Sequence, residues 1–369
     1  MDDLLTLRIA FSFLRGMNVT LGRELLRLCG SEERFFAMSE SELRNLTHSS
    51  AEVYSKDYRA KVLAKAEAEA LFVRSHSVGT LYFTDEDYPQ RLLDCDDAPV
   101  LIYSSGQTDL NHCQAIGIVG TRHATPYGAD FTRRLVQELA QKLDNPVIIS
   151  GLAYGIDIAA HRAALEAGIP TVAVMATAIS SIYPAEHRAS AVDIVRSSGM
   201  LLTEYSSRRV IHRANFLERN RIVAGMSDCL IVSESAEKGG ALVTAQLAAD
   251  YNRDVFAVPG RVNDRYSCGC NRIIASGMAR LLTGADDIIA AMGWTAKRPK
   301  KETSQPALPI ALNPDEELIV RFLETTDDAS LAQLTAATGF PIARLMSMLI
   351  DMEFRGLLLS LPGAKYRLT

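Results

Sequence analysis

Long apolar runs are missing from this chain. Nowhere in its 369 positions do eighteen consecutive apolar residues occur, so no membrane-spanning helix is expected. The opening MDDLLTLRIAFSFLRGMN carries acids where a secretory leader has bases, and it has no small-residue cleavage site, so no secretory signal is expected. Cysteine is sparse: six residues (29, 95, 113, 229, 268 and 270) are scattered along the chain, which argues against a disulfide framework and for a reducing cytoplasm. Cys268 and Cys270 lack a second pair or a histidine cluster, so their expected use is structural and no metal is expected. Two nucleotide signatures are absent as well. The first strand runs into GIVGTRHATPYG, without G-x-G-x-x-G spacing, and G-x-x-x-x-G-K-[ST] occurs nowhere, so neither a dinucleotide fold fingerprint nor ATP hydrolysis is indicated. No internal repeat is visible.

What is present is ordinary globular material, 48% hydrophobic and 22% charged with a net charge of −5, in a length that suits two or three domains. Residues 1–78 carry helical spacing and strong helix formers, in TLGRELLRLCG and AEVYSKDYRAKVLAKAEAEALFVRSH. A short extended lead-in begins near 79. From about 113 to 292, apolar runs (AIGIVG, PVIIS, TVAVMA, MLLTE, DCLIVS, DVFAVPG) alternate with helical patterns, which predicts a Rossmann-like α/β domain with a parallel sheet. Residues 293–312 include the polar, basic, proline-bearing TAKRPKKETSQPALPIAL and read as a linker. Residues 313–369 predict three helices and a hairpin turning at Pro362-Gly363, a winged helix.

In an open parallel sheet, ligands bind beyond the carboxyl ends of the strands. Ser150-Gly151 and Gly239-Gly240 stand at such ends, each ahead of a helix whose free N–H groups could cradle a phosphate; the alternative is that these glycines only permit tight turns. Asp157 and His161 share a helix face, with Asp157 placed to cap that helix rather than to catalyse. Glu204 and Glu234 lie at strand ends with no nucleophile specified nearby. The segment RRVIHRANFLERNRIVAGMSD, residues 208–228, puts five arginines into its first fourteen positions in an acidic protein. Arg208, Arg209, Arg213, Arg219 and Arg221, with Arg122 from the first strand end, would line the ligand edge. Guanidinium forks suit phosphate oxygens and Phe216 offers a stacking face, the composition of a single-strand reader. The competing possibility is that some of these arginines pair with Glu204 or Glu218 while Phe216 fills the core.

Six ordered motifs then carry a resemblance: Gly120-Thr121-Arg122, SGLAYGID (150–157), NFLERNRIVAGMS (215–227), KGGALVTA (238–245), VFAVPG (255–260) and GCNRIIASG (269–277). Together with YPQRLLDCDDAPVLIYSSG upstream, they are similar to those of the DNA processing protein A (DprA/Smf) family over essentially the whole chain. The resemblance implies a cytoplasmic, non-enzymatic binder of single-stranded DNA that helps load RecA recombinase in natural transformation or related recombination. It implies no cofactor, no membrane association and a homodimer formed through the Rossmann-like domain. By motif, the DNA contacts would be Arg122, Arg213, Phe216 and Arg219. Asn215, Asn220 and Arg221 would shape the same pocket beside Ser150 and Gly151, with Lys238 and Gly240 across it.

The chain departs from the family pattern in places. Thr121 stands for the usual serine, Lys238-Gly239-Gly240 for serine-glycine-serine, and MATAISSIYP for a glycine-bearing loop. The N-terminal helices resemble the family's helix-hairpin-helix, SAM-like region, but RGMNVTLGR lacks the tight glycine hairpin that aims amides at a phosphate, so a structural or protein-contact role is expected there. The winged helix holds five bases against eight acids, which leaves both a DNA-touching wing (Lys365, Arg367) and a protein-contact role open. The runner-up function is a nucleotide phosphoribohydrolase-like enzyme using the same crevice; VPGRVNDRY lacks the glycine run and glutamate of that loop. A duplex-reading regulator ranks third.

Overall fold

The structure is a computed structural model that describes residues 3–297, 312–326, 328–361 and 363–368. The chain divides into two compact units near residue 300.

The first unit is built on nine strands: β1 (Gly79–Tyr82), β2 (Leu101–Gly106), β3 (Gln114–Val119), β4 (Pro146–Ser150), β5 (Thr171–Val174), β6 (Met200–Thr203), β7 (Cys229–Val232), β8 (Asp254–Ala257) and β9 (Arg280–Leu281). Their order is β1-β2-β6-β5-β4-β3-β7-β8-β9. From β6 to β9 every pairing is parallel, while the extended lead-in forms the antiparallel pair β1–β2 and adds it to β6. The central strands are fully buried apolar runs because helices cover both faces. Alternation divides them: Val147, Ile149, Leu230 and Val232 pack into one core, and Ile148, Cys229 and Ile231 into the other. All six predicted parallel strands form. β9 and the helices Cys268–Ala275 and Ala285–Met292 had no clear signal, being short and flanked by polar residues.

The N-terminal helices pack into the same core as one face of the sheet, with Phe11, Phe35 and Val62 joined to Tyr103, Val172 and Leu202. Residue 78 therefore marks a change of architecture and not a break in packing. The helix Lys56–Ser75 also reaches the strand ends, where Glu69 accepts hydrogen bonds from the Ser207 amide and hydroxyl at 2.8 and 2.6 Å. In RGMNVTLGR, Asn18 caps the helix Val19–Cys29 through the Leu21 amide. The first residues of the expected linker belong to this unit: Trp294 packs on the second core, and the Lys297 amide donates to the Lys142 carbonyl. Residues 298–311 lie outside the described ones.

The position of the ligand edge follows from the strand order. After β3 the chain winds outward through β4, β5 and β6, then crosses to β7 on the other side of β3. The loops after β3 and β7 therefore leave in opposite directions and open a crevice between them, the topological switch point at which such sheets bind ligands.

The second unit has helices Pro314–Leu323, Leu331–Thr338 and Ile342–Phe354 and a sheet of β10 (Ala329–Ser330), β12 (Lys365–Leu368) and β11 (Leu358–Leu361), packed on Ile319, Leu334, Leu345, Leu349 and Tyr366. This is the winged helix. Its hairpin forms around Gly363, Pro362 lying outside the described residues. Within it Arg344 pairs with Asp315, Arg355 with Glu316 and Asp351, and Lys365 with Asp328. The third helix exposes an apolar line at four-residue spacing: Ile342, Met346, Ile350 and Phe354.

Candidate nucleic-acid interface

A cleft of about 370 Å³ opens at the switch point. One wall is the β3 exit, Gly120-Thr121-Arg122. A second is the β7 exit, Ser235-Ala236, and the start of the helix Gly240–Asp250. Phe216 and Asn220 come from the basic segment, and Arg265 and Tyr266 from the loop after β8.

The rim combines charge with an aromatic face. The Arg122 side chain is exposed, and its guanidinium carbon stands 5.5 Å from the centre of the Phe216 ring, within cation–π reach. Phe216 is half-buried, not a core side chain, and Tyr183 meets it edge-on at 5.3 Å between centroids. MATAISSIYP thus places an aromatic beside the cleft. Gly239 and Gly240 form an uncapped helix start on the cleft wall, with amides open to an anion. Arg213 is exposed at the start of the helix Arg213–Glu218, and Lys238 is exposed on the turn ahead of Gly239.

Beneath the rim the protein satisfies its own charges, and several expected contacts are corrected here. The Ser150-Gly151 turn faces an internal anion: the Gly151 and Ala153 amides beside the Asp157 carboxyl favour its charged form, and the Ser150 hydroxyl donates to the Ile118 carbonyl at 2.6 Å. Arg219, 3% exposed, donates to the carbonyls of Gly151 and Val174 and, at 3.2 Å, to the Asn220 side chain. Its guanidinium lies so close over Gly151 that a Cβ there would collide with Nη1 and displace the guanidinium. Gly155 is required by its φ of +75° at the turn into the helix Ile156–Glu166. Arg221 pairs with Glu204 and donates to the Asp97 carbonyl at 2.7 Å. Asn215 is 1% exposed and donates to the Ala176 carbonyl. Ser150, Gly151, Asn215 and Arg221 therefore serve the scaffold and not the ligand surface. Arg219 borders the cleft from within it, its donors turned to the protein.

The electrostatics of this floor follow from burial. Removal from water pushes the Asp157 carboxyl up and the Arg219 guanidinium down, and each opposes the other's shift by its charge. His161, one turn beyond Asp157, is fully buried. The single Thr171 hydroxyl hydrogen goes to the Ile148 carbonyl at 2.8 Å, so His161 Nδ1 donates to Thr171 at 2.7 Å and Nε2 is a bare acceptor with no partner among the described residues. Burial, reinforced by Arg219 and His187, pushes this imidazole down to about 3. Glu204 pairs with Arg221 through Oε2 while its Oε1 has no partner among the described residues, and Glu234 accepts the Thr125 amide and hydroxyl. Cys268 and Cys270 each direct their thiol to a backbone carbonyl.

Arg265, Tyr266 and His123 on the cleft wall were not anticipated. The signal existed in VPGRVNDRY, where an arginine and an aromatic sit side by side just past a strand end, the same composition that singled out residues 208–228.

Residues 79–293 match the family model described as DNA recombination-mediator protein A, and residues 303–364 match the DprA winged helix domain. The chain is 30% identical over 318 residues to protein Smf of Synechocystis, covering 77% of this chain and 78% of that one. It is 38% identical over 206 residues to the DNA processing protein DprA of Streptococcus pneumoniae, covering 56% of this chain and 71% of that one. The X-ray structure of the S. pneumoniae protein superposes with a TM-score of 0.66 at 28% identity, over 79% of this chain and 98% of that one. A structure of DNA processing protein A from Helicobacter pylori, described for its single-stranded DNA binding mode, superposes with a TM-score of 0.52 at 30% identity, over 58% of this chain and 95% of that one.

Proposed function

The chain belongs to the DNA recombination-mediator protein A family, and from that premise we propose that it binds single-stranded DNA in the cleft between the β3 and β7 exits. The bound strand is then presented to RecA recombinase during DNA processing in transformation or related recombination. The observation that carries the reading is the pairing of an exposed guanidinium with a half-buried ring, Arg122 over Phe216, at the mouth of a cleft whose far wall is an uncapped helix start. Phosphate clamps with a stacking platform bind single strands whatever their sequence. Arg122, Phe216, Asn220 and Gly240 are the proposed contacts in the cleft, with Arg213 and Lys238 drawing in the backbone alongside.

Binding without turnover fits a floor in which Glu234 is engaged through both oxygens by Thr125 and Glu204 is paired with Arg221 through Oε2. The protein works in the cytoplasm as a homodimer formed through the Rossmann-like unit. The winged helix contacts protein: three of its cations are already paired with its own acids, and its third helix carries an apolar line instead of a basic one.

Titration with labelled oligo-dT and with its duplex tests this reading. Single strands should bind more tightly, with log K falling against log[salt] at a slope of roughly −2 to −3, as for three or four neutralised phosphates. Equal affinity for duplex, or an affinity indifferent to salt, would refute it.

A further inference from the structure

A second cleft of about 380 Å³ lies alongside the first, and the two share Arg265 and Tyr266 as a common wall. We propose that it is a second nucleobase subsite, receiving a base of the same strand against Tyr127 and Tyr266. The proposal rests on the single-strand reading above and deepens it.

The lining decides between a phosphate and a base. Two carboxylates, Glu234 and Asp264, face this cleft, and Glu234 is 2% exposed and fixed by the Thr125 amide at 2.9 Å and its hydroxyl. Carboxylates at this range repel a phosphodiester, so the backbone stays outside, toward Arg265 and Arg122 on the rim of the first cleft. What the cleft offers instead is aromatic surface. Tyr127 is 46% exposed, and its hydroxyl is tied to the Pro259 carbonyl at 2.8 Å, which holds the phenol in place while leaving ring surface open. Tyr266 is half-buried, with the Arg265 guanidinium carbon 5.6 Å from its ring centre and the His123 ring 6.3 Å away.

The loop that carries Tyr266 is set before any ligand arrives. The Ser235 amide at the β7 exit donates to the Tyr266 carbonyl at 2.7 Å, and the Ser267 and Cys268 amides close back on the Asp264 carbonyl at 3.0 and 3.2 Å. A stacking surface held this way loses little freedom on binding. A strand leaving Phe216 meets Tyr266 without leaving the protein surface, so two bases are gripped at two separate places.

The test is a dT oligomer carrying a single 2-aminopurine moved stepwise along it and bound to the full-length chain. Stacking on an aromatic ring quenches that fluorophore. Two separated quenched positions are expected. In Tyr127→Ala the second should be lost while the first persists, and oligo-dT affinity should fall about 5- to 150-fold, the loss of one stacked base. Tyr127→Phe should keep both positions. A single quenched position in the wild-type chain overturns the second subsite and leaves the first standing, whereas no quenched position in a bound oligomer overturns the stacking reading of both. Two positions that both survive Tyr127→Ala, in a variant that melts like wild type, also overturn the proposal.

Discussion

At the rim of the cleft the Arg122 guanidinium is exposed and lies over the Phe216 ring; three positions beyond that ring, Arg219 is 3% exposed and donates to two backbone carbonyls. Both arginines belong to the same edge of the sheet, and both look alike in sequence. Their fates differ because of what each finds within reach. Beneath Arg219 are the carbonyls of Gly151 and Val174 and the Asp157 carboxylate, which together compensate a guanidinium withdrawn from water. Arg122 has no such nest and keeps its charge at the mouth of the cleft, where a phosphate can use it. A basic cluster in a sequence therefore mixes two populations, one that builds the site and one that works in it. The number of internal acceptors separates them.

The comparison breaks most visibly at the floor. Arg219→Ala should cost about 3–5 kcal/mol of stability, because it leaves the Gly151 and Val174 carbonyls buried without their donor and removes the charge that offsets the buried Asp157 carboxylate. Chemical denaturation reads this directly, and wild-type stability with weakened DNA binding would move Arg219 to the rim.

Phe216→Ala should act in the opposite sense, costing about 1–3 kcal/mol of oligo-dT affinity with little salt dependence and almost no change in melting temperature. If the ring belonged to the core, the loss would instead be about 3–5 kcal/mol of stability with affinity retained by the folded fraction.

The smallest effect is a pH dependence confined to the floor. His161 is pushed down to about 3 in the folded chain, against about 6.5 when unfolded, so its contribution is fully present above pH 6.5 and is lost as pH falls toward 3. Between pH 7.5 and 5.5 the loss should be about 1.4 kcal/mol, read as the difference in unfolding free energy between wild type and His161→Gln, whose glutamine does not titrate. Identical pH profiles for the two proteins would show that the imidazole is not buried neutral.

Much of the fold was legible because its signals are local. Short continuous apolar runs rich in β-branched residues, such as PVIIS and CLIV, read as strands buried on both faces, and their alternation with helical patterns implied the parallel sheet. The short β9 and the two helices around it were not legible, since eight residues of polar-flanked chain, about two helical turns, carry little periodicity. At the site, the sequence singled out the edge of the sheet at which the cleft opens and two of the residues, Arg122 and Phe216, that stand at its rim. It could not show that the turn at 150–151 faces the Asp157 carboxylate, which belongs to the next helix and is brought there only by folding.

Residue type and spacing alone determined the sheet, the winged helix and the concentration of guanidinium groups beside one strand edge, all of them consequences of near-neighbour chemistry along the chain. Only the tertiary structure decided which charges remain for a ligand. Glu204 meets Arg221 from seventeen residues away, and Gly151 meets Arg219 from sixty-eight. Whether a buried charge is compensated depends on groups that distant, which no local pattern records.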